Sequence, residues 1–247
     1  MKIDERLYLI GSGRLGFDWT HPSDCNVYVF DSGDGLVMID SGTGLSHNEI
    51  REHLEDEGLR AGDLAEIWLT HLHADHAGGA AEWRRISGAK VGVLKQASEP
   101  LMLGDEEAID LPTARRNGFY PPDYLFSGCP VDRLFEDKEN FRIGNCRVQV
   151  LHTPGHSRFD TSFHVTMPNG RAVLFSGDTV FYNGRISMIH TRDFHLQQLA
   201  DSMELLGQYT VDMLLPGHGQ PALKRGSEHI RLARDTFRAM GVPINIV

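Results

Sequence analysis

Thr70-His71-Leu72-His73-Ala74-Asp75-His76-Ala77-Gly78-Gly79 is the stretch from which this chain is best read. Its three histidines and one carboxylate follow directly on the apolar run Ile67-Trp68-Leu69, which has the character of a buried strand. A strand that ends in such a cluster delivers nitrogen and oxygen ligands to one point at a sheet's edge. Imidazole and carboxylate suit borderline divalent ions such as Zn²⁺. The spacing is not helical: on an extended segment His71 and His73 project to the same side, because side chains there alternate with period two. Asp75 and His76 are expected on a turn just beyond, within reach of a second metal.

Further along, apolar strands run into other ligand-type residues held by glycine or proline. Arg147-Val148-Gln149-Val150-Leu151 leads to Pro154-Gly155-His156, Ala172 to Phe175 leads to Gly177-Asp178, and Met213-Leu214-Leu215 leads to Pro216-Gly217-His218. Glycine and proline at these ends allow the sharp turns that aim side chains back over a sheet. Each strand end alone is weak evidence, and together they make a two-metal site the economical explanation. Asn26 to Phe30 and Leu36 to Asp40 flank a turn at Asp31-Ser32-Gly33-Asp34-Gly35, so they read as a hairpin. Asp40 stands at the end of a buried strand, where a carboxylate is costly unless paired. It is expected to accept a hydrogen bond from a ligand histidine and so set its tautomer.

The remaining elements follow from periodicity and end signals. Ser46 with Glu49 three residues on reads as a capping box opening a helix that stops at Gly58. Gly79 to Arg85 reads as a helix and Lys90 to Val93 as a strand. Leu196, Leu199, Met203 and Leu206 share a helix face. A closing helix from Ser227 to Met240 is ended by Gly241, with Pro243 beyond it. Two segments resist periodic reading: the aromatic-rich loop 14–24 and the long stretch 99–135. The first is expected to pack on the core or to form a substrate-facing flap, a lid, and the second to act as a lid or wall over the metal site.

Composition narrows the function class. A formal charge of −10 argues against non-specific binding to nucleic acid or to an anionic membrane surface. Thirteen histidines in 247 residues suit a metalloprotein. Cys25, Cys129 and Cys146 are widely spaced with no CxxC pair, which excludes a disulfide framework and a sulfur-ligated zinc site. The N-terminal residues carry no apolar targeting core and no stretch approaches a membrane span, so a cytoplasmic location is expected. There is no nucleophile elbow, Walker loop or dinucleotide fingerprint. The chain is expected to form one domain over 1–247 acting on a small-molecule substrate, and exposed aromatics on the first lid suit a homodimer contact.

In its motif order the sequence resembles the metallo-β-lactamase-fold hydrolase superfamily. The likeness runs from Asp40-Ser41-Gly42 through Thr-His-x-His-x-Asp-His, Pro-Gly-His and Gly-Asp to Pro216-Gly217-His218. The resemblance implies an α/β fold, a four-layer αβ/βα sandwich of two mixed β-sheets with two divalent metal ions along one edge. His71, His73 and His156 would hold one metal, Asp75, His76 and His218 the other, with Asp178 bridging. Zinc is the expected ion, and iron and manganese also suit such ligands.

The implied chemistry is attack on an ester carbonyl by a metal-bound hydroxide, with Asp75 orienting the nucleophile. Zinc β-lactamases carry a cysteine or no ligand where this chain has Asp178, so the likeness points to the lactonase and glyoxalase II-like branch. An acyl-homoserine lactonase-like activity leads. A thioesterase of hydroxyacylglutathione hydrolase type is the alternative, followed by an iron-dependent persulfide dioxygenase. In the lactonases a tyrosine three residues after the bridging aspartate contacts substrate. Here that position is Phe181, and its neighbour Tyr182 is expected to donate a hydrogen bond to the substrate carbonyl.

Overall fold

The computed structural model describes residues 1–246, which divide into two compact units, Met1–Phe135 and Glu136–Val247. The first unit carries a seven-stranded sheet in sequential order: β1 (Lys2–Asp4), β2 (Leu7–Gly11), β3 (Val27–Asp31), β4 (Leu36–Ile39), β5 (Leu64–Trp68), β6 (Lys90–Leu94) and β7 (Arg133–Phe135). β1 to β4 form an antiparallel meander, whereas β4, β5, β6 and β7 pair in parallel. Parallel neighbours need crossover connections. These supply α1 (His47–Asp56), α2 (Ala74–Ala77), α3 (Ala80–Ser87), α4 (Ser98–Leu103) and α5 (Leu111–Arg116).

Hydrophobic patterning explains the strands that resisted or obeyed alternation. Every residue of β4 is buried, because strands covered on both faces read as continuous apolar runs. Trp68 at the end of β5 sits edge-on to Phe30 at 5.7 Å and to Phe135 at 5.6 Å, and its indole N–H donates to Glu66. This aromatic trio anchors the strand end from which the ligand stretch departs.

The second unit holds a five-stranded sheet ordered β12-β11-β10-β9-β8, formed by β8 (Asn140–Ile143), β9 (Cys146–His152), β10 (Thr161–Thr166), β11 (Ala172–Gly177) and β12 (Met213–Pro216). β8 to β11 are antiparallel, and β11 pairs with β12 in parallel. The helices α6 (Leu196–Leu206) and α7 (Gly226–Arg238) bury Leu199, Met203, Leu206, Ile230 and Ala233 in a core with Leu151, Leu174 and Leu214. Among the described residues no helix is long and apolar enough to cross a membrane.

Several local expectations are corrected. The capping box at Ser46 does not form: Ser46 starts α1 but makes no side-chain cap, and its hydroxyl donates to Asp24 instead. Asp24 is a buried carboxylate that also takes the Thr43 N–H at 2.8 Å and the Thr43 hydroxyl at 2.6 Å. A buried charge draws every nearby donor, and this outcompetes an exposed helix end. Asp75 and His76 lie on the short helix α2 and not on a turn. At the last helix the left-handed residue is Met240, with φ of 60°, and not Gly241. The stretch 99–135 carries α4, α5 and β7, and β1 and β8 were not anticipated.

Phe135 is fully buried, its ring against Trp68 and over Gly92. Phe135→Ala is expected to lower stability by about 3–5 kcal/mol through lost burial and a residual cavity, read as a shift in the urea midpoint.

Candidate metal centre

Each unit gathers its own set of ligand-type side chains beyond the carboxyl ends of its strands. In the first unit, β4 and β5 run parallel and end side by side, with the Asp40 N–H donating to the Trp68 carbonyl at 2.9 Å. Asp40 then takes a left-handed φ of 59°, a costly conformation that aspartate tolerates better than most residues. Its carboxylate accepts the Thr70 N–H at 2.7 Å, the Thr70 hydroxyl at 2.9 Å, and His76 Nδ1 at 2.8 Å. The expected partnership between Asp40 and a ligand histidine is therefore present, and the histidine is His76. With Nδ1–H committed to Asp40, Nε2 is the nitrogen presented outward. It stands 3.4 Å from Asp75 Oδ2.

His71 and His73 meet edge to face at 4.7 Å, with His71 Nε2 3.1 Å from His73 Nδ1, and the His71 ring is 4.0 Å from that of His76. Four ligand-type side chains of one short segment are thus brought together. Tyr120, which sequence reading passed over, joins them: its phenol donates to Asp75 Oδ1 at 2.7 Å. The only signal for it was its place in Phe119-Tyr120-Pro121-Pro122, 45 residues away. Cys25, Asp40 and His76 also cluster closely enough to surround an ion. Burial pushes the Cys25 thiol up to about 12, against the opposing influence of the neighbouring His76. Within this cluster His76 Nδ1 is already committed to Asp40.

In the second unit, Asp178 follows β11 and His218 follows β12. The parallel pairing of these strands, with the Gly217 N–H on the Gly177 carbonyl at 2.8 Å, sets the two ends level. Asp178 Oδ2 lies 3.5 Å from His156 Nε2 and 3.5 Å from His218 Nε2. His156 Nδ1 is 3.3 Å from the Ser187 carbonyl, which orients the ring with Nε2 toward Asp178. The loop that carries His156 is held from below by buried Asp160, which accepts the Ser157 N–H at 2.7 Å and the Ser157 hydroxyl at 2.6 Å. Burial holds the Asp160 carboxyl well above the usual carboxylate range. Gly155 is obligatory: its φ is 145°, and a Cβ there would meet the backbone of Leu199 at 2.5 Å.

Tyr182, expected to face substrate, packs its ring on His229 at 4.5 Å beneath α7. The ring beside His218 is that of Phe181, at 6.4 Å. Of the other histidines near Asp178 in sequence, His195 serves as the N-cap of α6, accepting from the Gln198 N–H at 3.3 Å, and His190 is exposed.

The donor sets fit divalent metal ions. Tetrahedral coordination with bonds near 2.1 Å places neighbouring ligand atoms roughly 3.4 Å apart. The spacings of His76 Nε2 to Asp75 Oδ2, and of Asp178 Oδ2 to the two imidazoles, are 3.4, 3.5 and 3.5 Å. The sequence profile of the Metallo-beta-lactamase superfamily matches residues 21–218, which include every one of these side chains. The chain belongs to that superfamily.

Among its relatives is a human acyl-coenzyme A thioesterase, MBLAC2, 26% identical over 209 residues, covering 78% of this chain and 72% of the relative. The hydroxyacylglutathione hydrolase of Chromohalobacter salexigens is 28% identical over 154 residues, covering 62% of this chain and 46% of the relative. Among solved structures, the subclass B3 metallo-β-lactamase BJP-1 of Bradyrhizobium japonicum superposes with a TM-score of 0.73 at 22% identity, over 97% of this chain and 91% of that one. The fold class read from the sequence, α/β with two mixed sheets of the metallo-β-lactamase type, is thereby established, and the protein is a metal-dependent hydrolase.

Asp40→Ala is expected to free the His76 ring and weaken metal binding about 10–100-fold, measured by competition with a chelator. A separate expectation concerns the buried thiol. The folded state holds Cys25 protonated up to about 12, whereas the unfolded chain releases that proton near 9.0. The stability Cys25 contributes is therefore complete below pH 9 and declines as pH rises toward 12. Native protein should leave Cys25 unlabelled by a thiol reagent at pH 8, and urea-unfolded protein should expose it.

Proposed function

We propose that this hydrolase is a thioesterase acting on a small acyl thioester, and that His71, His73, Asp75, His76, His156, Asp178 and His218 together serve a two-metal centre. The joint ligand assignment is supported by the motif order and by a family match that runs through all seven residues. When bound, two divalent ions would lower the pKa of a shared water and polarise the substrate carbonyl. The chain's own residues supply the orientation. Asp40 and the Ser187 carbonyl set the imidazole tautomers, and the Asp75 carboxylate would help to orient the attacking water.

The observation that carries the thioester reading is the exchange of roles between Phe181 and Tyr182. An alkoxide leaving group needs a proton, and in the lactonase reading a phenol near the bridging aspartate assists the substrate. Here the ring beside His218 is phenylalanine, and the ring of Tyr182 packs on that of His229. A thiolate leaves with little need of a proton, since a thiol's pKa lies near 8.5. The relatives named as thioesterase and hydroxyacylglutathione hydrolase support the same choice. The lactonase expectation therefore gives way to what began as its alternative.

The test is a panel of acyl-coenzyme A and acyl-glutathione thioesters beside acyl and sugar lactones, using zinc-loaded protein. Thioester turnover should exceed lactone turnover. His73→Ala should lose about 10²–10³-fold in kcat/KM, the scale of one electrostatic contact to the transition state. Lactone hydrolysis with inert thioesters would restore the lactonase reading.

A further inference from the structure

Tyr120 makes two contacts with a single residue. Its phenol donates to Asp75 Oδ1 at 2.7 Å and accepts the Asp75 backbone N–H at 3.3 Å. The second contact matters because α2 starts without a side-chain cap from His73, so its first N–H groups depend on partners from elsewhere. The first matters because it divides the carboxylate. Oδ1 is taken by the phenol, while Oδ2 is the oxygen that faces His76 Nε2 at 3.4 Å.

The segment that carries Tyr120 is braced rather than loose. Tyr120 stacks on Tyr124 at 5.3 Å, and the Tyr124 hydroxyl donates to the Thr43 carbonyl at 2.8 Å. Between them Pro121 and Pro122 restrict the backbone, and the Tyr124 N–H closes the turn on the Pro121 carbonyl at 3.0 Å. Arg115 of α5 donates to the Tyr124 carbonyl at 2.7 Å and pairs with Glu106, whose other oxygen accepts the Phe126 N–H at 3.1 Å. Even the space is reserved: a Cβ at Gly78, just after α2, would collide with the Tyr124 hydroxyl at 2.1 Å. Ser23 donates to the Phe119 carbonyl at 2.8 Å, which fixes the other side of Tyr120.

The geometry points to Tyr120 as the positioning residue of Asp75: it holds one carboxylate oxygen and the backbone so that the other oxygen, with His76, is committed to a metal ion. This rests on the metal-centre assignment above, though not on the choice of thioester as substrate. A carboxylate held this way binds through one oxygen only. Without the phenol, Oδ1 loses this hydrogen bond, and part of the orientation of Asp75 must be recovered on binding.

The experiment compares zinc retention in wild type, Tyr120→Phe, Tyr124→Phe, Asp75→Ala and the Tyr120→Phe/Asp75→Ala double variant. Each zinc-loaded protein is dialysed against graded chelator and its zinc counted, with no substrate present. Wild type should keep two ions per chain, and Tyr120→Phe should release one of them at about 10–100-fold lower chelator strength. Tyr124→Phe, which removes one brace of the segment but keeps the Tyr120 phenol, should retain zinc more tightly than Tyr120→Phe. In the Asp75→Ala background the loss of the phenol should change nothing further, because the effect passes through Asp75.

Wild-type retention of both ions by Tyr120→Phe would overturn the inference. So would an additional loss in the double variant, which marks a merely structural role and can be read even where one single variant folds poorly. Two ions in wild type, one lost in Tyr120→Phe, and no thioester turnover would leave the role of Tyr120 standing and remove the thioesterase reading alone.

Discussion

The first unit's ligand cluster depends on one buried carboxylate. Asp40 sits in an unfavourable left-handed conformation at the end of β4, out of solvent, with three donors converging on it from Thr70 and His76. A charge in that position is tolerable only while those donors are present, since burying an unpaired carboxylate costs several kcal/mol. The same bonds that satisfy Asp40 bend the chain after β5, fix the His76 tautomer and leave the His71 and His76 rings 4.0 Å apart at a tilt of 46°. Stability and site geometry are consequently one problem here, and substituting Asp40 touches both.

The second unit solves a related problem with different means. Its ligands come from three separate strand ends, so levelling those ends matters more than bending one segment. The parallel pairing of β11 with β12 aligns Asp178 with His218, and the loop after β9 is shaped by Asp160 beneath Ser157 and by the close passage of Gly155 against α6. A single aspartate oxygen then faces two imidazole nitrogens at equal distance. The parallel pairing, by setting the ends of β11 and β12 level, contributes to the spacing between Asp178 and His218.

The stretch between α4 and β7 changes character once its contacts are known. Expected as a lid or wall, it is tied down at Ser23, Thr43 and Asp75, and braced internally by Arg115 with Glu106. Its exposed apolar residues, Phe119 and Leu125, stand on this fixed base. The first loop is similar: Phe17 and Trp19 stack on each other at 5.0 Å while Ser12 takes up the loop's backbone N–H groups. Both segments are held by their own hydrogen bonds and carry apolar side chains at the surface.

The histidine and aspartate ligands were legible because they are dense, sit at strand ends and are punctuated by glycine and proline, all of which are local properties. Most strands and helices were legible for the same reason, as periodicity follows from which face is buried. Asp40 could be anticipated as a partner, because a lone carboxylate ending an apolar run must be satisfied by something. The exceptions were non-local. Ser46 looked like a cap but went to Asp24, 22 residues away, since a buried charge outbids a helix end. Tyr182 was singled out by proximity to Asp178, and what the sequence did not show is that its ring packs on His229, 47 residues on, while the ring of Phe181 lies beside His218. Tyr120 carried no spacing signal at all, because its partner lies 45 residues back and they meet only when α5 and the Pro121-Pro122 turn fold onto α2. Sequence alone therefore determined which residues can hold metal and which fold presents them. Tertiary structure decided which side chains hold those residues still, because hydrogen bonds between distant segments leave no periodic trace in the chain.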